Sequence, residues 1–176
     1  MTLAVLIAIS CMWTSVGILF LGKGEAKATG AICAFVGTVT VVGALLQAAV
    51  FKDPFVAGLL FVHGLFYCCV GYALLAGLED LRGVGNVSLN TAVVSVIYTI
   101  IFLTGGPVLE GGKQLVAKSN YWALACAGYA ALTFMVWLNA YGKFPTKLLG
   151  ISLIVWVVLG LWVPAFYLMV GGTLPF

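Results

Sequence analysis

The chain has 176 residues, of which 64% are hydrophobic and only 7% charged, and its formal net charge is +3. That balance excludes an ordinary soluble domain and places the chain in a bilayer. All eight lysines and arginines lie between apolar runs, so the small positive excess argues for neither a nucleic-acid partner nor an acidic substrate.

A helix needs roughly 20 apolar residues to cross about 30 Å of hydrocarbon. Six runs meet that length: residues 3–21, 30–50, 55–78, 87–104, 121–141 and 148–170. The runs are continuous rather than alternating, which argues against a membrane barrel with a wet lumen. The expected fold is therefore all-α, a six-transmembrane-helix bundle forming a single membrane domain over residues 1–176. The first run has no basic segment before it and no clean small-residue cleavage site after it, so it reads as a retained helix. Trp13, Val16 and Gly17 share one of its faces.

Short connections with turn chemistry join the runs: GKGEAK, FKDPF, GLEDLRGVGN, GGPVLEGGKQLVAKSN and YGKFPTK. None can house a soluble catalytic module. The first, third and fifth hold Lys23, Lys27, Arg82, Lys143 and Lys147, against Lys52, Lys113 and Lys118 in the second and fourth. The excess of positive charge puts the odd loops in the cytoplasm and both termini outside.

The third run contains the chain's one histidine, His63, with Tyr67 a turn later. An ionisable group in hydrocarbon normally faces a bundle interior, a partner or a water-filled cavity. Three readings of His63 stand at this point: a neutral histidine bonded to a neighbouring carbonyl or hydroxyl, a donor lining a pore, and a pH gate. In the fifth run Trp122, Cys126, Tyr129 and Thr133 form one stripe at helical spacing, and in the sixth Ser152, Trp156 and Leu159 share a face. These faces read either as a narrow aromatic lane or as helix-to-helix packing, with Gly37, Gly64, Gly71 and Gly128 letting backbones approach. Pro164 removes an amide donor from the last run and is expected to free a carbonyl near Gly160 and kink the helix.

Cys11, Cys33, Cys68, Cys69 and Cys126 all fall inside predicted helices and behave as small apolar residues. One histidine without a buried carboxylate cannot complete a closed zinc site, so neither metal nor cofactor is expected. No Asp, Glu, Lys or Arg lies in any helix core, which disfavours ion-coupled transport, a voltage sensor and a charged selectivity ring. Scattered polar residues supply no nucleophile, base and oxyanion site together, so an enzyme is not expected. What remains is a passive path for something neutral. A non-transporting membrane subunit whose aromatic faces are packing surfaces is the alternative, and a proton-coupled carrier using His63 is a more distant one.

Five segments in order carry a resemblance. GILFLGKGEAKATGAICAFVG (17–37), GLLFVHGLFY (58–67), EDLRG, NYWALACAGYAALTF (120–134) and WVPAF (162–166) resemble the first hairpin, third helix, third loop, fifth helix and sixth-helix Trp-x-Pro signature of the bacterial urea-and-amide channel family, AmiS/UreI. The resemblance implies a facilitator for urea or short aliphatic amides in the bacterial cytoplasmic (inner) membrane. It also implies a homo-hexameric ring with one pore per protomer, often made beside an amidase or urease. Aromatic and aliphatic constrictions would admit a planar amide edge-on, with a few polar groups replacing its lost water.

Carried over by resemblance, the first-helix constriction falls at Trp13 and Val16, and the third-helix aromatic pair at His63, in place of a phenylalanine, and Tyr67. The fifth-helix constriction falls at Cys126, Tyr129, Leu132 and Thr133. The buried glutamate of the urea-specific branch falls at Trp156, with Ser152 one turn away. Loss of that carboxylate brings the chain nearer the amide branch, and Trp13, His63 and Trp156 move bulk onto other helices. The loops contain no histidine, so acid gating of the kind associated with the urea branch is not expected.

Overall fold

A computed structural model of the chain describes residues 2–108, 112 and 114–172. Five unbroken helices come first: α1 (Thr2–Phe20), α2 (Ala26–Ala49), α3 (Pro54–Ala76), α4 (Arg82–Thr104) and α5 (Asn120–Ala140). The sixth span is composite, with α6 (Thr146–Trp156) and α7 (Val163–Gly171) joined by a π-helical turn, Val157–Trp162. All six spans are long and apolar enough to cross a membrane. Among the described residues there is no strand, only an isolated antiparallel bridge between Val108 and Gln114.

The helix ends follow their local chemistry. Glu25 starts α2 by accepting from the backbone N–H groups of Ala28 and Lys27, which hold its carboxyl below the ordinary range. Asp53 accepts from Val56 N–H just before Pro54 at the start of α3, and Ser119 accepts from Trp122 N–H at the start of α5. Gly77 ends α3 with φ near 65°, a left-handed conformation that only glycine adopts without strain. The α4 helix begins at Arg82, five residues earlier than the sequence suggests, because Gly83 and Gly85 do not act as breakers. Gly85 is instead a contact surface: a Cβ there would meet that of Ala140 at 2.8 Å.

Helices pack in pairs, α2 on α3, α4 on α5 and α1 on α6. The α2–α3 seam is built from glycines seven residues apart, Gly30 and Gly37 facing Gly64 and Gly71. A Cβ on Gly37 would stand 2.7 Å from the Cys68 backbone nitrogen, so no side chain fits between the two backbones. Gly17 and Gly150 do the same for α1 and α6. Buried hydroxyls need no partner helix: Thr40, Thr91 and Ser95 donate to the carbonyl four residues back, and Ser88 to the one three back. The Asp80–Arg82 ion pair, at 2.7 Å, lies exposed at the start of α4.

The α4–α5 connection folds onto itself. Leu115 N–H donates to Pro107 O, Val116 N–H to Gly105 O and Ser119 N–H to Phe102 O. Val116 thereby packs against Phe102, Ala123 and Cys126, beside a ring cluster of Phe55, Tyr98, Phe102 and Trp122. Lys113, counted above with the fourth connection, lies outside the described residues.

Candidate functional site

Where α1, α3, α5 and the sixth span converge they leave a cavity of about 280 Å³. Gln47 and Asp53 stand at its mouth, by the α2–α3 turn, and Leu6, Ile9, Leu59, Leu60, Leu161 and Leu168 supply aliphatic walls. Its inner end is aromatic: Trp13, His63, Tyr67 and Tyr129. A second, smaller cavity of about 50 Å³ continues toward the opposite end of the bundle between Val16, Phe20, Phe66, Val70, Val136 and Leu153. Trp13 and Tyr67 line both cavities, so these two rings form the partition between them.

The four rings hold one another. Tyr129 meets Trp13 edge-to-face at 5.7 Å between centroids and His63 at the same separation, and His63 lies 6.0 Å from Tyr67. His63 is buried, and its Nδ1 lies 3.0 Å from the carbonyl oxygen of Leu59. A carbonyl only accepts, so in the neutral ring Nδ1 carries the hydrogen. Nε2 has no partner among the described residues. The donor of His63 is thus used inside its own helix, and the other ring nitrogen presents a lone pair.

Tyr129 is fixed from behind by the sixth span. Val163 N–H reaches five residues back to Val158 O, the π pattern, and Pro164 has no N–H to continue it. The carbonyls that Pro164 would have served, at Leu159 in the π register and Gly160 in the α register, accept from α5 tyrosines. Tyr121 donates to Leu159 O at 2.5 Å and Tyr129 to Gly160 O at 2.7 Å. The carbonyl that the proline was expected to free near Gly160 is therefore occupied by a side chain.

The structure brings Trp13, His63, Tyr67 and Tyr129 together on the large cavity and Val16 onto the small one. It places the other expected residues away from both. Cys126 is fully buried against Phe102 and Ala123, and Leu132 lies in the main core. Thr133 donates to Tyr129 O and Ala130 O of its own helix. Ser152 is half-buried on α6 and lines neither cavity. The Trp156 indole occupies the notch left by Gly128, where any Cβ would overlap the ring, and faces an outer groove with Tyr121, Leu159 and Tyr167. The aliphatic liners, Phe102, and Gln47 and Asp53 at the mouth were missed in the sequence, since leucines on apolar helices give no signal of which of them border a void. Among the described residues no cluster of His, Cys, Asp or Glu could hold a metal.

A bundle of six apolar spans around successive cavities, with charge only at the mouth, has the build of a membrane transport protein. The chain belongs to the AmiS/UreI family of transporters, whose model matches residues 1–172. The family is one of transporters, not of enzymes. No curated protein matches the chain in sequence. Two solved structures share its fold. The cryo-electron microscopy structure of the Helicobacter pylori urea channel in its closed state is 22% identical, with a TM-score of 0.83 over 99% of this chain and 100% of that one. The crystal structure of the urea channel from the same organism is 23% identical, with a TM-score of 0.81 over 98% and 99% of the two chains.

Proposed function

We propose that this chain is a passive channel for small neutral amides or urea in a bacterial cytoplasmic membrane. Both termini and the even-numbered loops face outward in this reading, and the protomers form a hexamer with one pore each. The observation that carries it is the pair of cavities meeting at Trp13 and Tyr67, walled by rings and aliphatic groups. Such a lane has nothing to replace the hydration of an ion, which would pay a desolvation penalty far larger than that of an amide. A flat amide slides between rings and exchanges its water for a small number of neutral polar contacts. The family and the shared fold with a urea channel support the same solute class.

The test is stopped-flow swelling of proteoliposomes in gradients of urea, formamide, acetamide and glycerol, beside empty vesicles and with a pH series. Amide-selective equilibration unaffected by a proton uncoupler is the expected result. No solute moving faster than in empty vesicles, from protein shown to be folded, would leave a non-transporting membrane subunit in its place.

A further inference from the structure

Building on the channel reading above, we infer that His63 is the acceptor that selects solutes for the N–H groups they carry. The neutral ring carries a single nitrogen-bound hydrogen. It is committed at Nδ1 to Leu59 O, so Nε2 has only a lone pair to offer. Among the described residues no donor reaches that lone pair, although the ring is buried in the cavity wall. Tyr129, the ring packed on its edge, has already given its hydroxyl hydrogen to Gly160 O. An unpaired buried acceptor is costly to keep, and a solute passing through the cavity is a group able to pair with it.

The neighbouring donor is already committed: Trp13, which also packs on Tyr129, has an indole nitrogen that is a donor only, and the Tyr67 hydroxyl is its acceptor. A planar amide has a carbonyl acceptor at one edge and N–H donors at the other, and it is the N–H edge that the Nε2 lone pair of His63 can bond. Replacing each N–H by N–CH₃ leaves the carbonyl intact and sets a methyl against the Nε2 lone pair. A site built to bond a hydrogen rejects the analogue that lacks it far more strongly than it rejects a change of size.

Three isomers of one formula make the experiment: propionamide, N-methylacetamide and N,N-dimethylformamide, with two, one and no N–H groups. Their channel-mediated fluxes in proteoliposomes, above those of empty vesicles, are expected to fall in that order. The drop from first to last should be about tenfold, the worth of one lost hydrogen bond in a dry site. His63→Phe keeps an aromatic ring of similar bulk without the acceptor and should compress the series to within about threefold, mainly by slowing propionamide. His63→Gln retains a carbonyl acceptor and should restore part of the order. Equal flux of the three isomers through the unaltered protein would overturn the role of His63 and needs no variant to fold. Wild-type discrimination in His63→Phe would overturn it too. Absence of flux for all three isomers would instead overturn the channel reading, and this inference with it.

Discussion

Substituting Tyr129 by phenylalanine removes one oxygen and leaves the ring that packs on Trp13 and His63. The Gly160 carbonyl then loses its bond from the hydroxyl at a buried position of the sixth span. Interhelical hydrogen bonds in membranes are worth about 0.6 kcal/mol on average and about 1.7 at most, because a deprived group usually finds another donor. Here the usual donor, the amide four residues on, belongs to Pro164 and does not exist. The cost should therefore sit at the upper end, about 1.5 kcal/mol, or a fall of about 3–6 °C in Tm for a chain of this size. Pro164→Ala returns an amide hydrogen to that position. In its background Tyr129→Phe should cost less than about 0.5 kcal/mol, so the double-mutant cycle has a coupling energy of about 1 kcal/mol. Thermal unfolding of the detergent-purified protein, followed by tryptophan emission, reads all four proteins of the cycle. Equal costs of Tyr129→Phe in the two backgrounds would refute the idea that the tyrosine substitutes for the missing amide.

Gly37→Val puts a side chain where the Cys68 backbone nitrogen leaves 2.7 Å for a Cβ, so α2 and α3 must separate. A loss of about 3 kcal/mol or more is expected, seen as poor recovery of monodisperse protein; wild-type stability would show the seam to be soft. Trp13→Leu widens the partition between the cavities and should raise acetamide flux severalfold, while Trp156→Leu, off the lane, should leave flux within about twofold yet cost about 2 kcal/mol in stability. The reverse pattern in stopped-flow measurements would put the lane elsewhere. Asp80, bonded by the Arg82 side chain and backbone N–H, has its carboxyl lowered from 3.8 to about 2. A lowered carboxyl stabilises the fold above its ordinary value and loses that contribution as pH falls from about 4 toward 2, so this pair adds no pH dependence between pH 5 and 8. Carboxyl NMR titration should find the Asp80 midpoint near 2 in the native chain and raised, but still below 3.8, in Arg82→Gln, where the backbone N–H bond remains; an unchanged midpoint would rule out the side-chain pairing.

The six spans were legible because a bilayer leaves apolar helices few alternatives, and length alone then separates a span from a loop. The same holds for Pro164, whose missing amide disturbs the last span wherever the helix packs, and for glycines such as Gly37 and Gly71, which mark close approach. The start of α4 was not legible. Gly83 and Gly85 read as turn residues until Ala140 of another helix is brought against Gly85. The cavity lining was half legible: spacing set Trp122, Cys126, Tyr129 and Thr133 on one stripe, and the structure turns Trp122 and Tyr129 to the cavity while Cys126 and Thr133 meet helix atoms.

Composition and periodicity thus determined the solvent, the number of spans and the absence of charge from their cores, since each follows from the transfer energies of single side chains. Tertiary structure alone decided which rings surround His63, which carbonyls the α5 tyrosines take over, and that Trp156 turns toward Gly128 rather than toward the cavities. Those outcomes depend on the rotation of one helix about its axis relative to another, fixed by backbone atoms meeting across glycine notches, and no periodicity within a single helix encodes that angle.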